Sequence, residues 1–181
     1  MIIRPAHQTD AEAIAKVQVD TWRSTYKGIM SDDFLAALSY EQRATAWHNI
    51  LSDPKPNQFA YVAMQDAKEV IGFAVGGQER SGDTEYTGEL YALYVLEAFQ
   101  RQGLGHRLTA TLARSCIDAG LGSLLVWVLE GNPCRRFYEA LGGERLRDKQ
   151  INVGGAQLVE IAYGWRDART LLTNPSGSCN D

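Results

Sequence analysis

The run Gln100-Arg101-Gln102-Gly103-Leu104-Gly105 holds the most chemistry per residue in the chain. It falls between a stretch that reads as a strand and one that reads as a helix. Such a turn aims several unpaired backbone N–H groups outward from the positive end of the helix, a ready seat for a pyrophosphate. Gly103 and Gly105 let phosphate oxygens reach the backbone with no side chain in the way. A purely structural tight turn of the same composition is the alternative. Two nucleotide fingerprints fail. A Rossmann G-x-G-x-x-G needs glycine where Leu108 stands, and G-x-x-x-x-G-K-[ST] occurs nowhere. The histidines, His7, His48 and His106, are scattered and suggest neither a triad nor a metal site.

The surrounding pattern supplies the elements that must carry this turn. Residues 2–4 read as a first strand stopped by Pro5. Thr9 with Glu12 resembles a capping box for a helix over about 10–21, and Ser39 with Gln42 opens a second one. Pro54 and Pro56 end that helix. Residues 59–65 and 70–76 read as a hairpin, 78–88 as a loop and 89–96 as a buried strand. Leu104, Leu108, Leu112 and Cys116 then repeat at i, i+4, predicting a helix over about 104–119 that Gly120 stops. The apolar run 124–129 predicts a central strand. Asn132-Pro133 is a good N-cap and N1 pair for a short helix ended by Gly142-Gly143. Strands over 144–153 and 156–165 flank a Gly154-Gly155 turn. The order β-α-α-β-β-β-α-β-α-β-β defines a mixed α/β sheet with one parallel crossover, between the strands near 90–96 and 124–129.

Length and composition bound the partners. The chain has 181 residues, 45% hydrophobic and 22% charged, as expected of one globular domain. The domain is expected over residues 1–166, with 167–181 a flexible tail. A net charge of −4 without a basic tract argues against nucleic acid. No apolar run approaches membrane-spanning length, so no membrane partner is expected. Cys116, Cys134 and Cys179 are odd in number and irregularly spaced, neither a disulfide framework nor a zinc set. A cytoplasmic protein with reduced thiols and no metal is the expectation.

The spacing resembles the acetyl-CoA motif of the GCN5-related N-acetyltransferase (GNAT) family, whose core is [Q/R]-x-x-G-x-[G/A]. Here it lies in residues 95–105. Downstream, Asn132 and then Phe137-Tyr138-Glu139-Ala140-Leu141-Gly142 resemble the family's N-x-x-A-x-x-F-Y-E-x-L-G-F pattern. Trp22, Tyr26, Gly28 and Trp47 look like the two-helix entry of many members. The resemblance covers roughly residues 2–165. Departures are Glu97 where proline is frequent, Arg135 where alanine is, and Gly143 where phenylalanine is.

The resemblance implies a centrally splayed sheet flanked by helices, a GNAT-like acyl-CoA N-acyltransferase fold. It implies direct transfer of acetyl from acetyl-CoA to a primary amine, on a small molecule or a protein. Exposed backbone at Leu93 and Val95 would pair with the pantetheine arm. Amides of Arg101, Gln102, Gly103, Leu104, Gly105 and His106 would grip the pyrophosphate, and Asn132 would contact the cofactor besides capping its helix. Tyr138 is the candidate general acid, since a phenol with a reference pKa of about 10 stays protonated at neutral pH. A packed aromatic is its bland alternative. Glu89 is the candidate base, acting through a water, with Glu85 and Glu130 as weaker rivals. Trp22, Tyr26 and Tyr91 are candidates for the acceptor pocket, against a plain core role. Cys134 reads as a bystander. Homodimers are common in the family. A non-catalytic acyl-CoA sensor is the rival function.

Overall fold

The computed structural model describes residues 1–66 and 68–173. Seven strands form one sheet in the order β1-β2-β3-β4-β5-β7-β6. These are β1 (Ile2–Pro5), β2 (Gln58–Gln65), β3 (Glu69–Gln78), β4 (Gly88–Val95), β5 (Leu124–Leu129), β6 (Glu144–Val153) and β7 (Ala156–Trp165). β4 and β5 are the one parallel strand pair among the described residues. The helices are α1 (Ala11–Thr25), α2 (Asp32–Ala36), α3 (Tyr40–Ser52), α4 (Leu104–Asp118) and α5 (Arg135–Ala140). No helix among the described residues is long and apolar enough to cross a membrane.

The two faces of the sheet are covered by different helices. On one, α4 buries Leu104, Leu108, Leu112 and Cys116 against Ala74, Leu90, Val126 and Val128. Each leucine withdrawn from water there contributes about 1.5–3 kcal/mol. On the other, Ile14, Val17 and Trp47 of α1 and α3 pack on Val62, Phe73 and Val75. A third cluster joins Tyr26, Met30 and Leu35 to Leu129 and, from the β6–β7 hairpin, Ile151, Val153 and Leu158.

Local chemistry sets the helix ends. The Thr9–Glu12 box does not form. Asp10 acts instead, accepting from the His7 N–H at 2.8 Å while Arg4 binds its carboxylate at 2.7 Å. That pairing holds the Asp10 carboxyl below its usual range. Ser39 caps α3 as expected, accepting from the Gln42 N–H at 3.2 Å. The short α2 has no counterpart in the sequence reading. Its five residues are too few to show a period, and the Ser31 hydroxyl accepting from the Phe34 N–H is its main signal. Gly120 closes α4 as expected: its N–H donates to the Ile117 carbonyl and that of Leu121 to Cys116.

One boundary moves. Ala168 and Leu171, in a 3-10 turn at Ala168–Leu172, are buried against the α4 core, so the domain runs past residue 166. The rest of the expected tail, residues 174–181, lies outside the described residues. At the end of α5, the N–H of Gly142 donates to the Glu139 carbonyl and that of Gly143 to Tyr138. A Cβ on Gly143 would come within 2.8 Å of both the Trp165 ring and the Tyr138 carbonyl, which explains the departure from phenylalanine there. Gly143→Ala should therefore lower stability by about 1–3 kcal/mol, read as a shift of the denaturant midpoint at unchanged slope.

Candidate active site

β4 and β5 pair only at Gly88, Glu89 and Leu90, facing Leu124, Leu125 and Val126. Beyond Leu90 the strands part. Opposite β3, Val75 faces Ala92 and Gly76 faces Leu90, so Tyr91 is an extra, bulged residue. The bulge reverses which residues look across the gap. The Gly88 N–H donates towards β5, to the Ser123 carbonyl, whereas the Leu96 N–H donates towards β3, to Ile71. Counting back from Leu96 by alternation, Leu93 and Val95 turn their backbone groups into the opening. The splayed sheet expected from the sequence is thus present, with those two residues on its free edge.

The glycine-bearing turn lies at the end of the same strand. Gly103 is the N-cap of α4 at φ +76°, a conformation that L side chains resist. Arg101 adopts φ +57°. The first N–H bonded within the helix is that of Arg107, to the Gly103 carbonyl, and the N–H groups of residues 101–106 find no acceptor among the described residues. Gln100 ties the turn to the strand, its side-chain amide donating to the Val95 carbonyl at 2.8 Å. Leu104 is buried, so its backbone alone faces outward, and the Gln102 side chain turns back to the Ala98 carbonyl. Gly105 makes room for Phe137, whose ring would lie 3.4 Å from a Cβ there.

A cleft of about 1310 Å³ runs from this turn into the gap. Arg101, Gly103, Gly105 and His106 line one end, with Leu93, Val95, Asn132 and Tyr138 further in. The regular turns of α5 begin at Arg135, two residues later than expected. Asn132 therefore does not cap the helix but folds the turn before it, its Oδ1 accepting from the Cys134 N–H at 2.8 Å and its Nδ2 donating to the Tyr26 hydroxyl at 3.4 Å. Tyr138 is buried in the cleft wall, and its hydroxyl has no hydrogen bond to a described residue. Burial, then the neighbouring Tyr94 phenol, raises its pKa well above the ordinary value. Desolvation also raises Cys134, which disfavours its thiolate.

On the α1 side, Trp22, Tyr26 and Tyr91 all line the cleft. Trp22 meets Tyr26 edge-on at 5.2 Å. The Arg80 guanidinium lies 3.7 Å above the Tyr91 ring. Thr21 Oγ1 and the indole nitrogens of Trp22 and Trp127 are buried without a partner among the described residues, three polar atoms in the wall of one cleft. Glu89 is placed differently from expectation. It is 4% exposed, does not line the cleft, and accepts three bonds from Arg80, two from the guanidinium at 2.5 and 3.2 Å and one from the backbone N–H at 3.3 Å. Glu85 is exposed beside Arg166, and Glu130 is exposed away from the cleft wall.

Residues that the sequence reading passed over also line the cleft: Glu79, Arg80, Trp127 and Glu160. A signal for Glu160 existed. Val159, Ile161, Tyr163 and Trp165 alternate along β7, which leaves a carboxylate mid-strand on the opposite face.

A mixed sheet opened between two parallel strands, with free helix amides at the mouth of the opening, is the architecture of an N-acyltransferase. Residues 83–152 match the family model described as FR47-like protein. The chain is 39% identical over 171 residues to the uncharacterized N-acetyltransferase YuaI of Bacillus subtilis, spanning 94% of this chain and 96% of the relative. A GCN5-related N-acetyltransferase structure from Rhodopseudomonas palustris superposes with a TM-score of 0.71 at 18% identity, over 90% of this chain and 93% of that one. The PaiA N-acetyltransferase of Thermoplasma acidophilum, solved in complex with coenzyme A, does so at 0.64 and 19%, over 88% and 96%. The chain belongs to the GNAT family and is an N-acetyltransferase.

Removing the Glu89 charge separates structure from catalysis. Glu89→Gln should destabilise the fold by about 1–3 kcal/mol, because Arg80 loses its partner. Turnover by the folded variant should fall less than tenfold, whereas loss of a general base costs about 10²–10⁴-fold.

Proposed function

We propose that the protein moves an acetyl group from acetyl-CoA directly to a primary amine, on a small molecule or a protein, with the donor lying across the β4–β5 gap. One observation carries this reading: the free N–H groups of 101–106 and the unpaired edge at Leu93 and Val95 open into a single cleft. The amides of Arg101, Gln102, Gly103, Leu104, Gly105 and His106 hold the pyrophosphate at the helix N-terminus. Leu93 and Val95 pair with the pantetheine arm and polarise the thioester carbonyl. Asn132 holds the wall between donor and acceptor through Tyr26.

The amine nitrogen attacks the thioester carbon, an amide bond forms and the C–S bond breaks. Tyr138 gives its proton to the departing sulfur, and the proton shed by the nitrogen restores the phenol. Glu89, locked to Arg80, supports the cleft wall beneath Tyr91 and takes no proton. The acceptor therefore reacts as its neutral minority form. The free hydroxyl of Tyr138 favours transfer over a sensor that only binds acyl-CoA. We place the reaction in the cytoplasm, consistent with the free thiols of Cys116 and Cys134. The cleft is built from a single chain, so a homodimer is not needed to complete it.

Calorimetric titration with acetyl-CoA tests the donor site. Asn and Asp both tolerate the left-handed conformation, so Gly103→Asn controls for backbone strain while Gly103→Asp adds a charge facing the pyrophosphate. Binding should survive the first and weaken at least about tenfold in the second. Absence of binding to wild type rejects the reading. Tyr138→Phe should lower kcat by about 10²-fold with donor affinity and melting temperature unchanged. Because burial raises the Tyr138 pKa above about 10, the acid form persists across the working range. The pH profile of kcat/KM should then rise with the free-amine fraction and show no falling limb below about pH 10.

A further inference from the structure

Two carboxylates line the cleft among the described residues, Glu79 and Glu160. The first is consumed locally, accepting from the N–H groups of Ser81 at 2.6 Å and Asp83 at 2.8 Å. Glu160 stands mid-strand in β7, in register with Leu129 of β5 and Lys149 of β6. The Lys149 ammonium is 3.4 Å from its carboxylate and 3.8 Å from the centroid of the Trp127 ring. Trp127 looks to the same face, since Val126 and Val128 on either side of it pack into the α4 core. The other nearby cation, Arg147, lies 5.8 Å from that ring and is paired with Asp83.

A carboxylate beside an aromatic face is a receptor for an alkylammonium ion. In this chain the receptor is filled by its own lysine, and only loosely. The contact is long and the Lys149 side chain is 43% exposed. An exposed pair of this kind contributes about 0–1 kcal/mol, so an incoming cation displaces it at little cost. The receptor also selects a role for that cation. A neighbouring negative charge stabilises the protonated form of an amine, the opposite of what an attacking nitrogen needs.

We propose that Trp127 and Glu160 form an anchoring subsite for a second, non-reacting ammonium of a di- or polycationic amine acceptor, with Lys149 as its intramolecular placeholder. This rests on the amine-acceptor reading above and names the acceptor's class. The indole N–H of Trp127, unpartnered among the described residues, is a local reporter.

The test follows the ¹H–¹⁵N indole resonance of Trp127, assigned by its loss in Trp127→Phe, during titration with n-butylammonium and with n-butanol. Butylammonium should shift the signal saturably, butanol should not. Lys149→Met, which keeps the apolar stem and removes the competitor, should bind butylammonium about three- to fivefold more tightly, the size of an exposed ion pair. Glu160→Gln, close to isosteric, should abolish the shift with the other resonances in place. Equal responses to butanol and butylammonium overturn the proposal. So does an unchanged affinity in Lys149→Met, or a shift that survives Glu160→Gln. None of these titrations contains acetyl-CoA, so their failure would leave the donor site standing. Failure of wild type to bind acetyl-CoA would strike the transfer reaction instead.

Discussion

β4 belongs to two ladders that it cannot satisfy together. Against β3 it carries Tyr91 as an extra residue, and against β5 it pairs only at Gly88, Glu89 and Leu90. A bulge bends and twists its strand, and here the bend falls where the parallel pairing stops. The backbone beyond it, which an unbroken sheet would consume in hydrogen bonds, is left for a ligand. Buried N–H and C=O groups are seldom left unpaired, so the opening is stable only where something polar can enter it. The aromatic walls, the helix N-terminus and the hairpin floor are all arranged around that opening.

The division of the sheet into two covered faces gives the reaction its direction. α4 and α5 supply backbone amides and a phenol on one side. α1, α3 and the β6–β7 hairpin supply aromatic rings and a carboxylate on the other. In the proposed transfer, donor and acceptor therefore approach from opposite faces and meet only in the gap. Arg80 joins the two roles, covering the Tyr91 ring while neutralising Glu89 beneath it. A carboxylate buried without that guanidinium would be costly.

The sequence revealed the strands, the three longer helices and the turn, because each depends on short-range periods, caps and glycine placement. Gly120 could be read as a cap because the hydrogen bonds at that helix end reach only a few residues along the chain. α2 was too short to show a period. The domain boundary was misjudged because Ala168 and Leu171 reveal their burial only through contact with α4. Glu89 reads as a free strand-end carboxylate until Arg80, nine residues earlier, is seen folded back onto it. Trp127, Lys149 and Glu160 come from three strands, and only the cross-strand register brings them together.

The bond from the Gln100 side chain to the Val95 carbonyl has a metric consequence. It fixes the turn of free N–H groups to the free edge of β4, so the two grips proposed for the donor stand at a set separation, like the jaws of a gauge. A donor with a longer acyl chain has the same length between pyrophosphate and thioester, so in the proposed seating its carbonyl would fall in the same place. Every added methylene would then project past the gap into the aromatic chamber on the other face. Donor chain length and acceptor bulk thus draw on one shared volume, and an enlargement of either is felt as a restriction on the other.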